Sequence, residues 1–274
     1  MTDASGQRSD LPLALARSAL ATEPAGLLTD LDGTLAPIVA DPHAARPLPA
    51  AVTALLTLAS RLAVVAIVTG RPAAEARRML GTDRLPVFGN HGLEWLDAGA
   101  SEARTPEHLS WAPATVARVS GRVPSLPGVW VEEKGLSATF HYRNAADQEA
   151  TRDRLLASIG EVDGDRLTVR PGRMSVELRP AGAGDKGTAL DELVARHALR
   201  GLLVLGDDVT DLDMFRAAAA ARSAGRLTAA ILAVGGAGEV SPTVAAAADA
   251  VLLDPAAVTT LLAALASDPG SAGR

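Results

Sequence analysis

Four short apolar runs, Gly26–Thr29, Leu62–Val68, Leu202–Leu205 and Ala229–Val234, limit the fold of this chain more than any other feature of its sequence. Each is nearly continuous rather than alternating, the pattern of a strand buried on both faces. Ala- and Leu-rich stretches with helical spacing lie between and after them. The predicted helices are Pro49–Leu58, Pro72–Leu80 with proline at its first position, Lys186–His197, Asp211–Ala220 and Pro255–Ala266. Strands alternating with helices predict a doubly wound parallel sheet, an α/β layer with helices on both faces.

From about Ser110 to Ala183 the rhythm changes. Ser137, Thr139, His141 and Arg143 alternate with Ala138, Phe140 and Tyr142; Arg173, Ser175, Glu177 and Arg179 alternate with Met174, Val176 and Leu178. Period two predicts strands with one polar and one apolar face. Ala145–Ile159 between them has helical spacing, so this section reads as a small antiparallel sheet backed by helices. The expected architecture is therefore a doubly wound, Rossmann-like core, residues 1–109 and 184–274, with an inserted α+β cap domain, residues 110–183. The cap's polar face, if turned towards the parallel sheet, would roof a cleft. The ends, Met1–Asp10 and Asp268–Arg274, are expected to be mobile tails.

Composition excludes several classes of function. With 48% apolar and 21% charged residues the chain has the usage of a globular protein rather than a disordered one. A net charge of −6 provides no general attraction for nucleic acid or anionic lipid, and seven aromatic residues leave no basic surface interleaved with rings. The longest stretch without Lys, Arg, Asp or Glu, Pro47–Ser60, is 14 residues, short of the roughly 18 that a membrane-spanning helix needs. Asp3, Asp10 and Arg17 make the start a poor signal peptide, so the cytoplasm is the expected location. With no cysteine, any metal has oxygen or imidazole ligands.

Ligands of an open parallel sheet gather at the carboxyl ends of its strands, so the residues after each apolar run carry the chemistry. The first run leads into Asp30-Leu31-Asp32-Gly33-Thr34-Leu35, the second into Thr69-Gly70-Arg71, and the third into Gly206-Asp207-Asp208, with Asp211 close behind. Lys186 opens the helix before the third strand. Such a cluster of carboxylates repels itself unless a cation neutralises it, and all-oxygen ligation suits Mg²⁺. Asp30, Asp32, Asp207 and Asp208 are the expected metal ligands. A carboxylate-held metal also accepts phosphate oxygens, and Lys186 and the Thr69 hydroxyl can complete a cradle around a phosphoryl group. Asp30 can attack phosphorus while Asp32, two residues on, protonates the leaving alkoxide and then deprotonates water. Taken singly, Thr69 reads equally as a helix cap before Pro72, and Asp208 and Asp211 as caps of the following helix. Trp95 and Trp111 read as packing residues.

These four strings, in this order, resemble the four motifs of the haloacid-dehalogenase-like phosphatases, and the second aspartate, Asp32, points to their phosphatase and phosphomutase branch. Further strings narrow the resemblance. Asp32-Gly33-Thr34-Leu35-Ala36-Pro37-Ile38, Gly89-Asn90-His91-Gly92-Leu93-Glu94, Val131-Glu132-Glu133-Lys134-Gly135, His141-Tyr142-Arg143, Val176-Glu177-Leu178-Arg179-Pro180 and Asp185-Lys186-Gly187-Thr188-Ala189-Leu190 are similar to the trehalose-6-phosphate phosphatase family over roughly Leu27 to Phe215. The resemblance implies Mg²⁺-dependent hydrolysis of trehalose 6-phosphate, a small-molecule substrate, and functional coupling to a trehalose-phosphate synthase. It puts Gly70, Arg71, His91, Glu94, Lys134, His141, Arg173 and Glu177 in contact with the substrate. Leu212 stands where an acidic residue is usual and Arg173 where lysine is expected. Two rivals are a phosphatase or phosphomutase of the same capped class acting on another sugar phosphate, and a catalytically silent sugar-phosphate-binding regulator.

Overall fold

The computed structural model describes residues 4–39, 41–160, 166–172, 174–235 and 240–268. In chain order the chain begins α1 (Ala4–Leu20), β1 (Ala25–Thr29), α2 (Pro49–Ala59), β2 (Val64–Val68), α3 (Ala73–Leu80), β3 (Val87–Gly89) and β4 (Glu94–Leu96). It continues α4 (Ala112–Ser120), β5 (Trp130–Glu133), β6 (Ala138–His141), α5 (Gln148–Gly160), β7 (Leu167–Gly172) and β8 (Ser175–Pro180). Then follow α6 (Lys186–Arg196), β9 (Gly201–Gly206), α7 (Leu212–Ser223), β10 (Thr228–Val234), α8 (Pro242–Ala246), β11 (Ala250–Leu252) and α9 (Pro255–Ser267). The chain divides into two compact units, Met1–Ala103 with Gly184–Arg274, and Arg104–Ala183. The first division therefore falls before the 109/110 boundary read from the change of period, and the short Glu107–Leu109 turn goes with the insert.

In the first unit seven strands run in the order β11-β10-β9-β1-β2-β3-β4. Every neighbouring pair is parallel except β3 with β4. The apolar runs are continuous because each face of the sheet has its own core. Leu27, Val65, Ile67, Leu203 and Leu205 face one cluster, while Leu28, Ala66, Val68, Leu202 and Val204 face the other. Fully burying each leucine stabilises the fold by about 2 kcal/mol. The first face is covered by α2, α3 and α9 and the second by α6 and α7.

Several expectations change. Strands β3, β4 and β11 went unrecognised because three residues are too few to display a period. The expected N-terminal tail is instead the start of α1, whose Ala16 and Ala19 are buried in the first core cluster. Pro72 has ψ 137° and precedes α3 instead of beginning it. Residues 1–3 and 269–274 lie outside the described residues. Among the described residues no helix is long and apolar enough to cross a membrane.

In the second unit four antiparallel strands run β5-β6-β8-β7. Ala138, Phe140, Val176 and Leu178 pack on Val116 and Val119 of α4 and on Leu155 and Ile159 of α5, the one-sided burial that period two predicts. Met174, expected on that apolar face, is exposed at the β7–β8 turn: its carbonyl still accepts from Tyr142 N at 3.0 Å, but its φ of +54° breaks the alternation that would turn its side chain to the core. Arg173 lies outside the described residues.

Candidate active site

Register brings three polar strings together. Thr29 lies beside both Ile67 and Leu205, so β2, β1 and β9 end level with one another. The backbone N–H of Asp30 donates to Leu205 O at 2.9 Å and that of Thr69 to Phe88 O at 2.8 Å, extending the ladder into the loops. Asp30, at the end of β1, is buried.

Lys186 reaches this point from the first turn of α6. Asp185 caps that helix, its side chain accepting from Thr188 N while Thr188 Oγ1 accepts from Asp185 N, and this capping box fixes where the lysine emerges. The Lys186 ammonium donates to Asp30 Oδ1 and to Asp211 Oδ1, each at 2.6 Å. Asp211 Oδ2 accepts from the backbone N–H groups of Asp207 and Asp208 at 2.9 and 3.0 Å. Asp30, Asp207 and Asp211 each offer an oxygen within 4.8 Å of the others. Three carboxylates thus face one ammonium. Burial pushes the Asp30 carboxyl up to about 7 despite the opposing pull of Lys186, with Asp211 adding to the rise. Burial, reinforced by Asp30 and Asp211, pushes Asp207 up to about 9. Lys186 is held well above its ordinary value: burial opposes its charge, and the two carboxylates outweigh that opposition. Gly33, at φ +80°, lies against Asp207, where any Cβ would collide with the carboxylate.

The grouping differs from the expected metal set of Asp30, Asp32, Asp207 and Asp208. Asp211, expected to serve as a helix cap, does form a capping box with Asp208 and also joins the carboxylate cluster. Asp208 is exposed at the N-terminal cap of the Val209–Asp211 turn. Asp32 is taken up by Arg71, whose Nε and Nη2 donate to its two oxygens at 2.6 and 2.8 Å. Arg71 also bonds Glu75 and the Pro42 carbonyl. Arg71, expected to touch substrate, here pairs with Asp32 and Glu75, its planar fork matching a carboxylate. Thr69 is not a helix cap: its Oγ1 accepts from Arg71 N at 3.3 Å.

The Gly89–Glu94 string forms a strained turn. Asn90, His91 and Gly92 all have positive φ (50°, 57° and 93°). A Cβ at Gly70 would collide with the His91 ring, so Gly70 serves as the floor beneath that imidazole. Glu94 Oε1 accepts from Ala73 N at 2.7 Å and from Asn90 Nδ2 at 3.0 Å, tying the turn to the start of α3. Burial raises the Glu94 carboxyl above its ordinary range. Glu94, predicted to bind sugar, has one oxygen committed to this brace.

Within the second unit, Lys134, His141 and Glu177 share the sheet face opposite the apolar cluster. His141 Nε2 lies 3.0 Å from Glu132 Oε2, and Lys134 Nζ lies 3.6 Å from the same oxygen. Ser137 Oγ donates to Glu177 Oε1 at 2.9 Å. Glu132, not singled out from the sequence, joins two residues that were; its register opposite Thr139 was the signal that spacing alone does not carry. Trp111 packs on the insert's core, with Arg166 4.8 Å over its ring, and Trp95 packs on the second core cluster. A cavity of about 320 Å³ lined by Val64, Pro86, Leu193, Arg196 and His197 lies at the amino ends of the strands, away from the carboxylates.

Residues 28–242 match the family model described as trehalose-phosphatase. The chain is 37% identical over 204 residues to the trehalose-phosphate phosphatase of Mycobacterium avium (strain 104), covering 69% of this chain and 50% of the relative. It is 38% identical over 205 residues to that of Mycolicibacterium paratuberculosis (strain ATCC BAA-968 / K-10), with the same coverage. The chain therefore spans about half the length of the curated relatives it matches. Among solved structures, the C-terminal domain of Candida albicans trehalose-6-phosphate phosphatase matches with a TM-score of 0.73 at 26% identity, over 93% of this chain and 96% of that one. The Aspergillus fumigatus trehalose-6-phosphate phosphatase matches with a TM-score of 0.64 at 26% identity, over 93% and 97%.

Proposed function

Because the chain belongs to the trehalose-phosphatase family, we propose that it hydrolyses trehalose 6-phosphate to trehalose and phosphate through an aspartyl-phosphate on Asp30. The observation that carries this reading is the Asp30–Lys186–Asp211–Asp207 constellation at the level strand ends, buried except for the half-buried Asp207.

Asp30 Oδ attacks phosphorus, and the bond from phosphorus to the sugar oxygen breaks. Asp32 gives its proton to the departing alkoxide, so trehalose leaves neutral. Asp32 then takes a proton from water as that water attacks the acyl phosphate, releasing phosphate and restoring both carboxyl groups. Lys186 holds Asp30 in line and offsets negative charge around the transferring group. Arg71 orients Asp32, and Thr69 supports the turn that carries Arg71.

The donor set suits a hard divalent cation: all-oxygen, largely buried, and with more negative charge than one ammonium neutralises. Asp30 and Asp207 would hold Mg²⁺, with Asp211 anchoring their loop through Lys186 and two backbone N–H groups. Mg²⁺ when bound supplies Lewis-acid stabilisation of phosphoryl oxygens. Residues 104–183 act as the specificity cap, with Lys134, His141 and Glu177 on its polar face as sugar contacts. The substrate's chemistry implies functional coupling to a trehalose-phosphate synthase. A catalytically silent regulator is disfavoured because Asp30, Asp32, Lys186 and Asp207 are all present. The test is phosphate release across a panel of sugar phosphates, with Mg²⁺ and with chelator; turnover of another sugar phosphate in preference to trehalose 6-phosphate would replace this substrate assignment.

A further inference from the structure

Arg71 is held from three sides, and only one of them belongs to the reacting groups. Nε and Nη2 donate to the two oxygens of Asp32 at 2.6 and 2.8 Å, Nη2 also donates to Pro42 O at 2.8 Å, and Nη1 donates to Glu75 Oε1. Arg71 is buried and Glu75 half-buried. Both supports other than Asp32 rest on fixed backbone. Glu75 lies in the first turn of α3, which Ala73, Ala76 and Leu80 seat in the first core cluster. Pro42 opens a short turn that Asp41 caps, its side chain accepting from His43 N, and Arg46 closes the turn by donating to the His43 and Ala45 carbonyls.

A bidentate guanidinium–carboxylate pair fixes the two planes relative to each other, but the pair as a unit can still pivot on the long arginine side chain. A third contact on a rigid element removes that freedom. Direction matters because each carboxylate oxygen has two lone-pair directions. The fork takes one on each oxygen of Asp32 and leaves the other for a proton, so the setting of the guanidinium decides where that proton points. We propose that Glu75 is a positioning residue for protonation of the leaving group: by holding Arg71 Nη1 from α3, it sets the plane in which Asp32 presents its proton. This rests on the sugar-phosphatase reading above and on the role given there to Asp32. It adds a residue outside the strand-end strings, one that spacing marks only as an ordinary helix position four after Arg71. Glu75 acts through Arg71 and not on the reacting atoms.

The experiment uses the full chain with Mg²⁺ and compares kcat/KM for trehalose 6-phosphate with that for an aryl phosphate, whose leaving group needs no proton. Glu75→Ala, a change helices tolerate, should lower the first at least about tenfold, through kcat with KM within about threefold, and the second by less than about threefold. Glu75→Gln keeps an oxygen that accepts from Nη1, so it should recover most of the loss. In an Arg71→Lys background, where the fork is already gone, Glu75→Ala should cost less than about threefold on either substrate, because the two residues act as one unit. Parallel losses on both substrates, no loss on either, no recovery in Glu75→Gln, or full additivity with Arg71→Lys would each overturn the positioning role. If Asp32→Asn shows no leaving-group asymmetry while the unaltered protein turns over trehalose 6-phosphate, the acid role of Asp32 falls and that of Glu75 with it, and the substrate assignment stands. Absence of any turnover of trehalose 6-phosphate by the unaltered protein would remove the proposed function and the role of Glu75 together.

Discussion

Lys186 meets Asp30 at 2.6 Å across 156 positions of sequence, and both side chains are almost wholly removed from solvent. The two are not energetically equivalent, because the same ammonium also serves Asp211 while Asp207 stands close by. Removing the lysine leaves buried carboxylates facing one another, which costs on the order of 3–5 kcal/mol. Removing the Asp30 charge relieves repulsion instead. We expect Lys186→Met to lower the melting temperature of the metal-free protein sharply, whereas Asp30→Asn leaves it unchanged or slightly raised and lowers phosphate release by several orders of magnitude. Substantial turnover by a folded Asp30→Asn protein would rule out the covalent route.

The pH dependence of stability in chelator follows from the same charges. Asp207 is raised to about 9 and Asp30 to about 7, against an unfolded value of about 3.9. Between the unfolded and folded values the native state holds more protons, so stability falls as pH rises. From pH 7 to 9 the Asp207 contribution is still changing. Lys186, raised in the fold, loses its contribution only at pH above its ordinary unfolded value, outside that window. The melting temperature in chelator should therefore decline from pH 7 to 9, and saturating Mg²⁺ should flatten the decline. A rise over this interval would contradict the upward shift that burial, reinforced by neighbouring carboxylates, gives Asp207.

Mg²⁺ should stabilise the protein by mass action, by about 2.7 kcal/mol at a hundredfold excess over Kd. Asp207→Ala removes one ligand oxygen and is expected to abolish both this stabilisation and activity. Differential scanning measurements with and without Mg²⁺ decide the point: retention of the full metal-dependent shift in Asp207→Ala would move the ion elsewhere.

Asp32 acts on the leaving group, and Arg71 orients it through two parallel hydrogen bonds. Asp32→Asn should slow hydrolysis of the sugar phosphate much more than that of an aryl phosphate, whose leaving group needs no proton. Arg71→Lys keeps the charge but loses the fork, so it should show the same asymmetry in weaker form. Parallel losses on both substrates would assign these residues to the fold of the loop instead.

Much of this was legible in the linear sequence because it follows from local rules. Unbroken apolar runs such as Leu202–Leu205 read as strands covered on both faces, and a parallel sheet then collects Asp30, Thr69 and Asp207 at one end. The alternation around Phe140 and Val176 foretold the antiparallel insert in the same way. Elements of three residues, such as β3 and β4, carry no period to read.

The sequence by itself determined which residues stand at the strand ends and that an alternating segment interrupts the parallel core, since both depend only on burial and on periods of 2 and 3.6 residues. Tertiary structure decided who pairs with whom. Arg71 grips Asp32; Asp211 both closes a capping box with Asp208 and holds Lys186; one oxygen of Glu94 braces Ala73 and Asn90. Trp130 drew no notice until β5 lay against β6 and put its ring on His141. A side chain's type limits what it can bond, but only chain register and loop conformation set which of several suitable partners stands within 3 Å of it, and neither is encoded in the spacing of neighbours along the chain.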